Sequence, residues 1–291
     1  MTRKAAAKAT TPVNTENPPS TPVEPDEEVK YVEPAKPNKE LPRATILVCT
    51  YNRLKLLEET LERLSSFIYY PPELLTWIIC DDSSPDGYAE KVAALPIVVE
   101  LGAKVVSTDK NGGWAKNVNN GLAQVTDDYV YFTEDDYFAT APIRLDAMVA
   151  LMETKPDIGL VRVRGIAGTH IVAHLFEADI KDYIPDWQDG VGLIGKIAYF
   201  QLDSGSPTPY VYSNGPHVKH RRFHEHYGVY PEGLLLGETE EAYAHTVKDK
   251  MHASPDGAGA PAVVILPQDV YMYFDHVGDS YQLTDADKRH D

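Results

Sequence analysis

Apolar runs and helical stripes alternate through the middle of the chain. "ATILVCT" (44–50) is a short unbroken apolar run, the pattern of a strand buried on both faces. "RLKLLEETLERLSSF" (53–67) sets Leu54, Leu57, Leu61 and Leu64 at helical spacing. "LLTWIICDD" (74–82) predicts a second strand, "GYAEKVAAL" a short helix and "AKVVST" (103–108) a third strand. "GWAKNVNNGLAQV" (113–125) reads as a helix with Trp114, Val118, Leu122 and Val125 on one face. "DYVYFTEDD" predicts the fourth strand, "APIRLDAMVALMETKP" a helix with Pro at its start, and "IGLVRVRG" (158–165) a further strand. Strands alternating with helices in this order predict an α/β fold, a mostly parallel sheet wrapped by helices.

The pattern weakens from about 166 to 236, which is rich in Gly, Pro, His and Tyr. Here "LIGKIAYFQL" (193–202) fits a strand or a helix. A mixed region that caps the sheet and shapes a pocket is expected. "GETEEAYAHTVKDKM" (237–251) carries acids in its first turn and lysines near its end, as a helix dipole favours. "AVVILPQDVYMYFDHVGDS" (262–280) supplies one or two strands. Residues 1–42 stand apart. They hold 8 of the 22 prolines and few large apolar residues, so they are expected to form a disordered tail. The expected division is therefore a tail at 1–42 and one domain at 43–285, with halves at 43–165 and 166–285.

Charge and cysteine content narrow the function classes. The 291 residues carry a formal net charge of −17, which disfavours nucleic acid and anionic membrane as partners. The two cysteines, Cys49 and Cys80, each sit in an apolar run, so buried thiols and a reducing, cytoplasmic compartment are expected. The basic start "MTRKAAAKATTP" lacks the apolar segment of a secretory signal, and no run approaches the ~18 residues of a membrane span.

The chemistry lies at strand ends. In an open parallel sheet, ligands bind beyond the carboxyl ends of the strands. The first strand ends in "CTYNR", the second in "CDDSSPDG" and the fourth in "TEDDY". Thr50, Tyr51, Asn52, Arg53, Asp81, Asp82, Glu134, Asp135 and Asp136 are thereby expected on one rim. Clustered carboxylates repel unless something positive sits among them, and a hard divalent cation is the economical answer. Taken singly, each acid also fits a strand end or a helix cap.

"ILVCTYNRLKLLEETLERL", "WIICDDSSPDG" and "NGGWAKNVNNGLAQVTDDYVYFTEDD", in that order, resemble the nucleotide-sugar-binding half of the family 2 glycosyltransferases, which have the GT-A (Rossmann-like) fold. The resemblance covers about 44–165, and 210–245 more loosely. It implies that Thr50, Tyr51 and Arg53 lie against the nucleoside and that Asp81 accepts a hydrogen bond from the base, with Asp82 beside it. Asn111, Gly112 and Gly113 would make the turn into a helix whose Lys116 and Asn117 face the donor. "EDD" falls where the family carries its D-x-D metal motif, with Glu in place of the first Asp. Asp136 would bind Mn²⁺ or Mg²⁺, Glu134 or Asp135 would approach ribose or metal, and His276 in "FDHVGDS" would complete the metal's ligands.

The same resemblance extends to the acceptor side. "LGETEEAY" (236–243) is similar to the family's later acidic motif and points to Glu241, with Glu240 next to it, as the general base. "YSNGPHVKHRRFHEHYG" (212–228) is similar to the segment that closes over diphosphate and acceptor. Asn214 and Gly215 would shape its turn, and His217, Arg221 and Arg222 could pair with phosphate. His217, His220, His224 and His226 also invite a zinc reading, set aside because no Cys joins them. The implied activity is transfer of a sugar from a nucleotide-sugar donor, by default a UDP-sugar, to a hydroxyl of a protein or glycan acceptor, with inversion. The rivals are a nucleotidyltransferase, for which "CTYNRLK" is a poor triphosphate loop, and a non-catalytic binding module of the same fold.

Overall fold

The computed structural model describes residues 36–163, 171–185, 195–253, 260–266 and 274–277. Residues 1–35, the greater part of the expected tail, lie outside the described residues, as do 278–285 at the expected end of the domain. The first half follows the sequence pattern closely. β1 (Ala44–Thr50), α1 (Leu54–Phe67), β2 (Leu75–Asp81), α2 (Tyr88–Ala93), α3 (Pro96–Glu100), β3 (Lys104–Ser107), α4 (Gly113–Leu122) and β4 (Tyr129–Glu134) come in the expected order. β5 (Tyr137–Ala139), α5 (Leu145–Thr154) and β6 (Ile158–Arg162) complete it. The second half adds β7 (Ala173–Asp179), β8 (Lys196–Leu202), β9 (His217–His220), α6 (Arg222–Tyr227), α7 (Leu236–His252), β10 (Ala262–Ile265) and β11 (Phe274–His276).

Nine described strands form one sheet in the order β3-β2-β1-β4-β9-β6-β10-β8-β7, and β11 pairs with β5 in a separate ribbon. The pairs β3-β2, β2-β1, β1-β4 and β6-β10 are parallel. β9 enters antiparallel between β4 and β6, an insertion that the sequence pattern did not announce. Its four residues alternate between the two faces and include two histidines and a lysine, so no apolar run marks it. The ambiguous segment near 193–202 is a strand, β8, paired with β7 and β10.

Two apolar layers sandwich the sheet. One holds α1, α2, α3 and α5 against Ile46, Val48, Tyr129 and Tyr131. The other holds α4, α6 and α7 against Leu47, Cys49, Val130 and Phe132. The neighbouring residues of β1 and β4 thus point to opposite layers, as strand geometry requires. α1 buries Leu57, Leu61 and Leu64, each stabilising the fold by about 1.5–3 kcal/mol. Gly121 lets α4 lie directly on the sheet, because a Cβ there would stand 2.7 Å from Leu47 Cδ1 and 2.9 Å from Cys80 Sγ.

The packed chain begins before residue 43. Leu41 packs on the first layer, Lys39 N–H donates to the Asp182 carbonyl at 2.9 Å, and Tyr70 Oη donates to the Pro42 carbonyl. The segment 36–42 therefore differs from the expected tail, because these few contacts fix it on the domain surface. Among the described residues no helix is long and apolar enough to cross a membrane.

Candidate active site

Parallel register gathers the strand ends. Thr50 aligns with Asp81, Asp81 with Ser107, and Cys49 with Glu134. Asp135 N–H then donates to the Cys49 carbonyl at 3.0 Å, so the chain leaves β4 bound to β1. The three acids diverge. Glu134 follows the α4 side of the sheet, where Trp114 Nε1 donates to its Oε1. Asp135 turns under the rim, accepting from Thr50 Oγ1 at 2.7 Å. Thr50 Oγ1 is also 2.7 Å from Tyr88 Oη.

The positive charge among these acids is Arg53. Its Nη1 donates to Asp136 Oδ2 at 2.8 Å, its Nε to Asp135 Oδ2 at 3.3 Å, and its Nη2 pairs with Asp135 Oδ1. Arg53 lies at the entry to α1, directly after Asn52, whose φ is +52°. Burial raises Glu134 to about 8, and Asp136 adds to the rise. Burial also raises Asp135 to about 6, against the lowering pull of Arg53 and Thr50.

Asp82 builds the next part of the rim. It accepts from Gly112 N–H at 3.0 Å, Gly113 N–H at 2.8 Å and Thr108 Oγ1 at 3.0 Å. Gly113 adopts φ +82°, which glycine reaches without a Cβ clash. The carboxylate of Asp82 thereby fixes the turn into α4. Asp81 accepts from Ser84 N–H and Ser107 Oγ, and Ser84 Oγ donates to its Oδ1. Buried Asn117 reaches back from α4 to the carbonyls of Thr50 at 3.2 Å and Cys80 at 3.0 Å. Lys116 pairs with Asp109 above the turn, and Tyr51 and Asn111 are exposed on the rim.

Elements of the second half close the other flank. Glu238 accepts from Leu235 N–H at 3.0 Å and caps α7. Half-buried Glu240 accepts from Asn214 N–H at 2.8 Å, whereas Glu241 is exposed. Asn214 is buried, and among the described residues neither its Oδ1 nor its Nδ2 has a hydrogen-bond partner. Burial in an aromatic cluster holds the His217 imidazole far below its usual range, and its Nδ1 lies 2.8 Å from the Gly215 carbonyl.

Arg221 and Arg222 do not reach this rim. β9 runs antiparallel to β4 and carries the chain from His217, opposite Phe132, to His220, opposite Tyr129. Arg221 then pairs with Asp128 at 2.9 Å, and Arg222 Nη2 donates to the Ile158 carbonyl, both at the amino ends of β4 and β6. The antiparallel direction of β9 thus takes both guanidiniums to the end of the sheet away from the acids. The four histidines do not converge either, since His217 packs on Phe132 and His220 on Tyr129, on opposite faces.

Sequence reasoning missed three groups, partly buried Trp114 and buried Tyr88 and Lys219. Trp114, read only as an apolar helix residue, is the donor to Glu134. Tyr88 ties Thr50 and the Arg53 backbone, whose N–H donates to its Oη at 3.3 Å. Lys219 is buried between Phe132 and Tyr230, with Nζ 3.1 Å from Tyr230 Oη. Only the alternation in "HVKH" could have signalled Lys219, and four residues are too few to fix a period.

Among the described residues, no group of three or more His, Cys, Asp or Glu side chains converges as a ready-made metal site. A smaller donor set does fit a hard divalent ion. Asp136 is buried, its Oδ1 has no hydrogen-bond partner among the described residues, and its Oδ2 lies 3.5 Å from His276 Nε2. His276 is held there by two devices: pairing of β11 with β5, and stacking on Tyr137 at 4.6 Å. A buried carboxylate oxygen without a partner beside an imidazole is the donor chemistry that a metal completed by substrate phosphates uses.

The profile of Glycosyl transferase family 2 matches residues 45–194. Among curated protein sequences none matches. GalNAc-T7, solved with UDP, GalNAc and Mn²⁺, is similar at a TM-score of 0.53 and 12% identity, over 78% of this chain and 43% of that one. Staphylococcus aureus TarS 1–349, solved with UDP-GlcNAc, is similar at 0.50 and 18% identity, over 77% and 56%. The mannosyltransferase PcManGT from Pyrobaculum calidifontis, solved with GDP-Man and Mn²⁺, scores 0.46 at 20% identity, over 81% and 60%. The chain thus spans 43–60% of the length of these three chains. The first two likenesses bear on the fold, the GT-A arrangement of a mostly parallel sheet between helices. The family match runs through β1, β2 and β4, the strands whose ends build the acid rim, and covers just over half of the sequence: the chain belongs to glycosyl transferase family 2.

Proposed function

We propose that this protein transfers a glycosyl group from a nucleoside diphosphate sugar, by default a UDP-sugar, to a hydroxyl of a protein or glycan acceptor. The reading rests on one observation above all: a buried Asp136 with a carboxylate oxygen that has no partner among the described residues and His276 beside it, at the carboxyl end of β4. Asp136 and His276 would hold Mn²⁺ or Mg²⁺, which when bound supplies positive charge to the departing diphosphate. GalNAc-T7 was solved with UDP, GalNAc and Mn²⁺, which supports the choice of ion.

The chain's own groups do the rest. Thr50, Tyr51, Asp81 and Lys116 line the nucleoside side. Asp82, Gly113 and Asn117 keep the turn into α4 in place beside it. Glu134, raised to about 8, is protonated at neutral pH and holds Trp114 rather than adding negative charge next to a diphosphate. Of the two acids proposed as base, Glu240 is favoured over Glu241, because its carboxylate is oriented by Asn214 N–H while Glu241 faces solvent. Glu240 would take the proton of the acceptor hydroxyl as the sugar bond forms on the opposite side, giving inversion. A cytoplasmic setting is consistent with two free thiols.

A second reading is a non-catalytic binding module, favoured by Arg53 standing among the acids. Donor consumption separates the two. Purified protein with Mn²⁺ and a panel of nucleotide sugars should release nucleoside diphosphate from one of them when an acceptor is supplied. Binding of a nucleotide sugar with no release under any acceptor would favour the module.

A further inference from the structure

We infer that Arg53 is a resident counter-cation of the metal site, which a divalent ion must displace from Asp136 Oδ2 before Asp136 and His276 can hold the ion together. The inference rests on the proposed metal role of Asp136. Three observations carry it. Arg53 Nη1 lies 2.8 Å from Asp136 Oδ2, the same oxygen that lies 3.5 Å from His276 Nε2. The partnerless Oδ1 can add to the coordination, but an ion shared with His276 sits against Oδ2, and a guanidinium and a divalent ion that close repel strongly in a buried site. The acids cannot move to make room. Asp135 has a fully buried side chain, bonded to Thr50, and its carbonyl accepts from Thr60 Oγ1 at 2.7 Å. The Asp136 carbonyl accepts from Val277 N–H at 3.0 Å, fixing it to the β11 segment.

Arg53 is the part that can leave. Its side chain is 26% exposed, against 6% for Asp136, and it stands at the open mouth of the rim. Its remaining anchor, Asp135, keeps it tethered through Nε and Nη2 when Nη1 lets go of Asp136. A guanidinium so released points its free N–H groups at the rim, where it can donate to the diphosphate of the donor in bidentate fashion. Metal and donor binding are then coupled through one side chain. The ion takes Asp136, the diphosphate takes Arg53, and each makes the other's site available.

The test measures Mn²⁺ affinity of the full chain by calorimetry, without and with saturating UDP, for the native protein, Arg53→Gln and Arg53→Lys. Without UDP, the native protein should bind Mn²⁺ weakly, and Arg53→Gln should tighten the Kd by about tenfold or more, as loss of a charge-assisted pair worth one to two pKd units allows. Arg53→Lys keeps the charge without the fork and should fall between, which also guards against a misfolded Gln variant. With UDP, the gain in Mn²⁺ affinity should be largest in the native protein and smaller in Arg53→Gln. An equal or weaker Mn²⁺ Kd in both variants, while UDP-dependent Mn²⁺ binding persists in the native protein, overturns the displacement and leaves the metal reading standing. No Mn²⁺ binding to any of the three, with or without UDP, overturns both.

Discussion

Lys219 offers the most quantitative check on the chemistry behind the rim. It is 1% exposed, sits over the faces of Phe132 and Tyr230, and has no ion-pair partner among the described residues. Burial lowers its ammonium from 10.5 to about 7. Between those values the unfolded chain holds a proton that the folded protein has given up. Stability therefore rises with pH across about pH 7–10 and is flat below, where both states are charged. At about 1.4 kcal/mol per pKa unit, the buried charge costs the fold on the order of 4–5 kcal/mol at and below pH 7. Lys219→Met keeps the volume and removes the charge, so its gain in stability over the native protein should be largest at low pH. Between pH 7 and pH 9 that gain should shrink by roughly 2–3 kcal/mol. Urea unfolding of both proteins at the two pH values measures it, and the titrations of tyrosine and cysteine, common to both, cancel in the difference. A gap that stays constant with pH, or widens, would refute the assignment of a desolvated ammonium at this position.

Other perturbations read other parts of the site. Glu240→Gln should leave donor binding intact and lower turnover by about 10²–10⁴-fold, the usual worth of a general base, in steady-state assays; full activity would move the base elsewhere. Asp82→Ala removes the acceptor of three hydrogen bonds that fix the turn into α4, and should lower urea stability by roughly 2–4 kcal/mol while weakening UDP binding. Gly121→Ala forces a methyl against Leu47 and Cys80 and should cost about 1–3 kcal/mol, measurable as a fall in the urea midpoint without a change in slope.

The first half of the fold was legible because its pattern is local. Residues 44–50 form a strand within their apolar run, and the leucine stripe of α1 is the face that it buries. The acids of the rim were found for the same reason: a strand that ends in carboxylates announces its own end. The second half was obscure because its elements are short and are defined by distant partners. β9 has four residues, of which three are His or Lys, and becomes a strand only between β4 and β6. Its antiparallel direction decided where Arg221 and Arg222 go, and nothing in the local sequence carries a direction. Arg53 shows a subtler limit. The family resemblance implied a place beside the nucleoside, and the need for a positive charge among the acids pointed to a metal; that the residue following "CTYN" itself supplies such a charge is visible only once the ends of β1 and β4 lie side by side.

The central claim is that a divalent ion on Asp136 ties a nucleoside diphosphate to the rim. The most direct measurement is UDP affinity by calorimetry with Mn²⁺ and with EDTA, for the native protein and for Asp136→Ala. The account predicts UDP binding that requires Mn²⁺ in the native protein and is lost in Asp136→Ala, with the folded circular dichroism spectrum unchanged. UDP binding that ignores EDTA, or that survives intact in Asp136→Ala, would contradict it.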